Sequence, residues 1–375
     1  MNHHPFYRFL NAIFLVAGMS IGASELGLPV ALRYCGYLPA VVGMVGIYIC
    51  MLASGILLAR LFVAERQRDL PALFQQQLGT IGATLFNVSY FSLAFCLLVA
   101  YWSGLQSILN NFGIGLTIFA IGVLIYYCLR YNFKLLYSLN NILSIGLVSS
   151  FIVLVTASFR TANSLEFWDR AYWLQLPQSL PLILCSFGYH QVIPMVCKQL
   201  NYNTLVINWA LLIGTFLPLI FNIIILTIGF RLFSVEELSE AARLGLPIFV
   251  LLKEHFNSNF FVHTGQGFSF FAIVTSLLGV SMAMHGALND ILSKKKVLRQ
   301  STELLIILPL FIAVMNPKLF FIVLGIAGGI FGNLMAGLLP VTPFLKASYF
   351  RLRYLLLWLI FIIIFILECI NLYHL

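Results

Sequence analysis

Runs of about 20 or more predominantly apolar residues recur along nearly the whole chain, and each is long enough to cross a hydrocarbon core roughly 30 Å thick as an α-helix. Within lipid every backbone N–H and C=O must find its partner in the protein, which leaves helices or a closed barrel. A barrel strand alternates apolar and polar residues over about 10 positions, whereas these runs are continuous. Only 9% of the 375 residues are charged against 61% hydrophobic, and the mean hydropathy is +0.99. That is too little polar surface to cover a water-soluble globule of this size. The chain therefore reads as an all-α integral membrane protein without a sizeable soluble domain.

The runs predict about eleven spans, near residues 8–32, 38–63, 80–108, 113–129, 136–158, 176–198, 204–230, 260–288, 303–317, 319–340 and 352–373, of which the fourth and ninth are short. The first is too long for a cleaved secretory signal and counts as a span. With the N-terminus in the cytoplasm, fourteen of the 21 Lys and Arg residues fall on the inner side, among them Arg66, Arg68, Lys294, Lys295, Lys296 and Arg299. The other seven, including Arg33, Arg170 and Lys253, fall outside, the bias expected of cytoplasmic loops. An odd number of spans then leaves the C-terminus outside. The net charge of +9 reads as topology and contact with anionic lipid head groups rather than nucleic-acid binding. The seven cysteines lie mostly within spans and form no CxxC pair, which argues against a disulfide framework or a zinc site. Neither metal nor cofactor is expected.

Two spans carry helix breakers at their centres. The first reads FLVAGMSIGASELGLPVAL, with Gly18, Ser20, Gly22, Ser24 and Gly27 ahead of Pro29; the sixth reads LPLILCSFGYHQVIPMVC, with Ser186, Gly188, His190 and Gln191 ahead of Pro194. Glycine weakens a helix and proline removes a backbone donor. Irregular backbone at bilayer depth is tolerated only where protein or a water-lined cavity satisfies it, so a cavity is expected at the breaks. Four spans separate the two, the spacing of a five-plus-five inverted repeat over residues 8–158 and 176–340, with 352–373 as an additional helix. Half-helices starting at a break offer N–H groups to a carboxylate, and those ending there offer carbonyls to an ammonium group or cation. An α-amino acid is the natural solute for such a pair of sites. Glycines and prolines also serve as kinks and packing points, and Gly18 with Gly22 spells GxxxG.

The stretches AGMSIGASELGLP, LPLILCSFGYHQVIP, FAIVTSLLGVSMAMHGALND and LPLFIAVMNPKLFFIVLGIAGG resemble the hydroxy and aromatic amino acid permease family, the bacterial tryptophan and tyrosine permeases of the amino acid, polyamine and organocation superfamily. SFGYHQVIP is the most specific of these matches. The resemblance covers nearly the full length. It implies an inner-membrane symporter of eleven helices, the first ten in the leucine-transporter fold with discontinuous helices 1 and 6, that takes up an aromatic or hydroxy amino acid with protons. By the same analogy the backbone around Gly22, Ala23 and Ser24 meets the substrate, Ser186, Phe187, Gly188, Tyr189 and His190 line the opposite wall, and the third and eighth spans close the pocket. The chain departs from its relatives at Ser24 and Glu25, where they commonly carry a glycine and an apolar residue. In the fifth span Gly146 stands about where many carry a lysine. Both departures bear on the coupling ion, proton or sodium, and on the substrate's charge.

An acidic side chain near the bilayer centre costs about 3 kcal/mol on insertion scales, so Glu25 should face the bundle interior and either pair or take up a proton. It is the leading candidate for proton coupling, against a structural role as a hydrogen-bonded group within the break. His190 suits substrate contact or proton relay, with a hydrogen bond across the break nearly as good an account. His285 reads as helix packing, His255 and His263 as outer-loop residues, and Glu368 as an interface or subunit contact. Tyr90, Phe91, Thr275 and Ser276 offer pocket walls and hydroxyls from the third and eighth spans. Asn140 and Asn141 read first as interhelical hydrogen bonds and second as support for the first break. RQRDLPALFQQQLG predicts a short inner-surface helix with Leu70, Phe74 and Leu78 on one face. Ser234 followed by Glu237 predicts an N-cap for an outer helix.

No HExxH, P-loop or Asp-rich metal motif is present, which argues against an enzyme. The alternatives that stay open are transport of serine, threonine or a cationic amino acid with different ion coupling, and a channel or sensor built on a transporter's architecture.

Overall fold

The computed structural model describes residues 5–66, 69–109, 114–161, 171–250, 259–292, 302–346 and 351–373. Arg68, Arg170, Lys253, His255, Lys294, Lys295, Lys296 and Arg299 lie outside them. Among the described residues the regular structure is entirely helical, as continuous apolar runs require. Nine helices there are long and apolar enough to cross a membrane, and the shorter apolar stretch Thr117–Tyr131 lies where the fourth span is expected.

The first expected span is α1 (Pro5–Ser20), a 3-10 turn (Ala23–Gly27) and α2 (Leu28–Ala31). The next four are α3 (Tyr37–Glu65), α4 (Leu70–Leu109), α5 (Ile114–Tyr131) and α6 (Phe133–Thr161). The sixth is again interrupted: α7 (Leu180–Cys185), a 3-10 turn (His190–Val192) and α8 (Ile193–Gln199). There follow α9 (Thr204–Leu232), the short helix α10 (Val235–Leu244), α11 (Asn259–Leu292) and α12 (Thr302–Met315). The tenth expected span runs from α13 (Phe320–Ile326) through a π-helical stretch (Ala327–Leu338) into α14 (Leu339–Lys346), and α15 (Arg351–Tyr373) follows.

Two expected surface helices take form. Leu70 to Leu78 continue into α4 through a kink at Gly79, whose φ of 72° suits a residue without Cβ; Leu70 and Phe74 are buried as the pattern predicts. In α10, Ser234 Oγ accepts from Glu237 N–H (3.3 Å) while Glu237 Oε2 accepts from Ser234 N–H (2.7 Å), a reciprocal cap.

Packing sorts the helices around the two interrupted spans. α1 and α3 both lie along α9, and α7 lies along the π-helical stretch. On the other side α11 packs against both α6 and α4. Small residues allow the closest approaches: α15 settles into the groove opened by Gly325 and Gly329, where the Glu368 side chain lies, and Asn333 Nδ2 donates to the Phe361 carbonyl (2.7 Å).

A Cβ on Gly329 would stand 2.7 Å from both Glu368 Cβ and Pro181 Cβ, whereas one on the exposed Gly46 meets nothing within 4 Å. Gly329→Ala should therefore destabilise the protein by about 1–3 kcal/mol, read as a lowered melting temperature in detergent. Gly46→Ala should leave that temperature unchanged or slightly raised.

Candidate functional site

The first break is held shut by its own carboxylate and by α11. Beyond Ile21, Gly22 is extended (φ −161°, ψ −154°) and caps the 3-10 turn Ala23–Gly27. Glu25 reaches back so that its Oε2 accepts the Gly22 N–H at 2.8 Å, while Ala23 N–H donates to Ser276 Oγ at 3.1 Å. Ser276 in turn donates to the Ala272 carbonyl (2.8 Å). Gly22 must be glycine for this docking, because a Cβ there would stand 2.8 Å from Ser276 Oγ. Glu25 is fully buried and its Oε1 has no hydrogen-bond partner. Pro29 sits at the start of α2, where its missing N–H costs nothing and its fixed φ favours helix initiation.

The second break follows the same logic with other partners. Ser186 Oγ donates to the Ile183 carbonyl (2.7 Å) and accepts from Asn222 Nδ2 of α9 (3.1 Å). Tyr189 OH donates to the Met51 carbonyl of α3 (3.0 Å), its phenol lying over Gly55 in space a Cβ would occupy. Pro194 opens α8 as Pro29 opens α2. His190 is buried with neither ring nitrogen hydrogen-bonded, and its ring lies 4.5 Å from that of Tyr189.

Between the breaks lies a cavity of about 740 Å³, within the range of small-molecule sites. From the first span it is lined by Phe14, by Ala17 to Gly22 and by Ser24, and by nothing beyond, while Leu26, Leu28 and Val30 are fully packed away. It is thus shut toward α2 and bordered by the N-terminal half of that span. The shut end is fastened outside as well: Arg33 Nε donates to Ser239 Oγ of α10 (3.2 Å). None of the lining residues carries a charge, and among the described residues no cluster of His, Cys, Asp or Glu could hold a metal ion.

Gly22, Ser24, Gly188, Tyr90, Thr275 and Ser276 line the cavity, as the sequence suggests. Ala23, Ser186, Phe187, Tyr189 and His190 do not; the last four are in the packed core behind the second break. Glu25 also stays off the wall. The structure adds Asn222, Met51 and Gly55 as supports, and Tyr101, Ser144, Phe151, Cys185 and Phe221 as wall. Sequence signals for the supports are weak, since one asparagine and one glycine in an apolar span look like ordinary packing. Gly146 lies against Phe271: a Cβ there would stand 2.8 Å from the ring. The interhelical hydrogen bond expected of Asn140 is not made, since its Oδ1 is buried without a donor, and Asn141 faces outward.

The sequence profile described as the tryptophan/tyrosine permease family matches residues 7–370. The chain is 25% identical to tyrosine-specific transport system 1 of Haemophilus influenzae, over 91% of this chain and 88% of that one. To the tryptophan-specific transport protein of the same organism it is 24% identical, over 91% and 89%. In three dimensions it is similar to the manganese transporter of Eremococcus coleocola, with TM-score 0.66 and 13% identity over 99% of this chain and 88% of that one. At that identity the likeness is one of fold.

Gly55→Ala places a methyl group inside the volume of the Tyr189 phenol and should force the second break to repack, lowering thermal stability by about 1–3 kcal/mol. Tyr189→Phe loses only the hydrogen bond to Met51 and should cost about 0.5–1.5 kcal/mol. Adding Tyr189→Phe to Gly55→Ala removes the clashing hydroxyl, so the pair should be less destabilised than the sum of the two single changes in the same melting assay.

Proposed function

The chain belongs to the tryptophan/tyrosine permease family, and on that premise we propose that it is a secondary transporter that brings an aromatic amino acid, tyrosine or tryptophan, into the cell together with protons. One observation carries this reading: both helix breaks border a single cavity whose wall bears hydroxyls, amides and aromatic rings but no charge. A charged solute would leave water there for an apolar wall without a counter-ion, at high cost. A zwitterion with an apolar side chain presents its two charges to the dipoles of the breaks and its ring to the rest. The curated relatives named above carry tyrosine and tryptophan in their names, which favours the aromatic class over serine or threonine. The missing charge on the wall and the inward turn of Glu25 onto Gly22 weigh against a cationic substrate.

In the membrane the N-terminus is cytoplasmic and the C-terminus periplasmic, on the strength of the basic-residue bias. The membrane is a bacterial inner membrane, and the cavity, bordered by the N-terminal half of the first span and shut off by the packed Leu26, Leu28 and Val30, faces inward. Residues 8–158 and 176–340 form the two inverted repeats and 352–373 the additional helix. Two cross-connections support the pairing of repeats: the first break rests on Ser276 from the second half, and the second break rests on Met51 from the first.

Glu25 couples the proton. Its carboxyl is shut away in this state yet tied to the Gly22 N–H at the cavity's edge, so it exchanges protons with water only when the break rearranges. Ionisable groups inside membrane bundles serve such relays. Tritiated tyrosine and tryptophan uptake into proteoliposomes under an imposed pH gradient tests the whole reading; accumulation that collapses when the gradient is dissipated is expected, and a flux of either amino acid indifferent to it contradicts proton symport. Glu25→Gln should keep substrate counterflow within a few-fold of wild type while gradient-driven accumulation disappears. Unchanged accumulation by that variant removes Glu25 from the coupling.

A further inference from the structure

One face of α6 forms a wall of the cavity. Asn140, Ser144, Leu147 and Phe151 recur at helical spacing and all line it, polar at one end of the stripe and aromatic at the other. The Ser144 hydroxyl is already committed, donating to the Asn140 carbonyl at 2.8 Å. The Asn140 side-chain amide is different: its Oδ1 is buried with no donor. An unpaired amide oxygen out of reach of water is expensive, and the residue that bears this one lines the cavity.

Register places that amide opposite the first break. α6 and α11 run antiparallel, since Gly146 lies against Phe271 while the rings of Phe151 and Phe268 stand 5.8 Å apart. Six residues back from Gly146 to Asn140 is about 9 Å along the helix, and five residues on from Phe271 to Ser276 is about 7.5 Å. Asn140 and Ser276 therefore lie at nearly the same depth, and Ser276 is the residue on which the first break rests. Axes of packed helices are about 8–10 Å apart. From its α-carbon an aromatic amino acid spans four bonds to an indole N–H or six to a phenol O–H, roughly 5–6.5 Å. With its charged end at the break, its ring crosses the cavity and the ring's donor arrives at α6.

We infer that Asn140 is a specificity-determining residue, whose side-chain amide accepts the hydrogen bond of a ring-borne donor, the phenol O–H of tyrosine or the indole N–H of tryptophan, and so selects against rings that lack one. The inference rests on the aromatic amino acid transport proposed above. A terminal amide turns easily about its last torsion, so Oδ1 swings to the cavity when a donor is offered. A ring without a donor leaves the amide unpaired, and sites built to hydrogen-bond a substrate group reject the analogue lacking it far more strongly than an apolar pocket rejects a misfit.

Competition against tritiated tyrosine on the purified full-length protein tests this, with tyrosine, tryptophan, phenylalanine and O-methyltyrosine as competitors. O-methyltyrosine keeps the phenolic oxygen and exchanges its proton for a methyl group, and phenylalanine controls for that added bulk. Wild-type protein should bind tyrosine and tryptophan at least about tenfold more tightly than the other two. In Asn140→Leu the tyrosine to phenylalanine ratio should fall to within about twofold, through loss of tyrosine affinity with phenylalanine little changed. Asn140→Ala, which only removes atoms from the wall, should give the same collapse and serves if the leucine variant is not recovered. Wild-type protein that binds tyrosine, phenylalanine and O-methyltyrosine equally overturns the inference while leaving aromatic transport intact. So do variants that weaken all ligands in parallel, the mark of a merely structural asparagine. Absence of binding by every aromatic amino acid overturns the transport reading and this inference with it.

Discussion

A helix interrupted inside a bilayer exposes backbone donors and acceptors where no water is available, and each must be met by the protein itself. The architecture around the two broken spans answers that requirement. At the first break the Gly22 and Ala23 N–H groups are taken by Glu25 and Ser276; at the second, the Ile183 carbonyl accepts from Ser186 Oγ, while Asn222 and the Met51 carbonyl hold the Ser186 and Tyr189 side chains. Most of these partners come from other helices, so satisfying the breaks also fixes how α3, α9 and α11 sit around them. The cavity is the space this arrangement leaves between two supported breaks.

The supports differ in kind, and the difference suits a moving protein. The second break is anchored through buried, uncharged groups: Tyr189 is wedged over Gly55, and Phe187 and His190 are sealed behind it. The first break is held by a carboxylate whose second oxygen is left without a partner, and by one serine hydroxyl. These weaker, ionisable contacts lie where the cavity ends, next to the packed segment from Leu26 to Val30. Reopening that end means exchanging these hydrogen bonds and unpacking Leu26, Leu28 and Val30, whereas loosening the second break means disrupting a close-packed aromatic contact.

The membrane helices were legible because the bilayer imposes a length and a polarity on every span, and both breaks were legible because glycine, serine and proline interrupt runs otherwise uniformly apolar. Their chemistry was only half legible. Gly22, Ser24, Gly188, Tyr90, Thr275 and Ser276 face the cavity as expected. Tyr189 and His190 do not, because once a chain leaves the helix its side chains follow no period, and Tyr189 found a glycine on another span. Asn222 and Gly55 carry no local signature, since their roles depend on what lies opposite. The direction of Glu25 could not be read either: a carboxylate three residues after a flexible glycine can cap its own turn or face a solute, and packing decides. The π-helical stretch in the tenth span (Ala327–Leu338) was not legible, since glycines in an apolar run suit an ordinary packed helix equally well.

The central claim is that a solute sits in the space bordered by both breaks, and Cys185 offers the most direct probe of it. This thiol ends α7, immediately before the second break, and lines the cavity. In a variant retaining Cys185 and replacing the other six cysteines with alanine or serine, the rate of alkylation by a small maleimide is measured with and without saturating tyrosine. Protection that follows the same concentration dependence as tyrosine uptake is the predicted result. An alkylation rate indifferent to tyrosine, in protein that still transports it, would place the solute elsewhere and contradict the account.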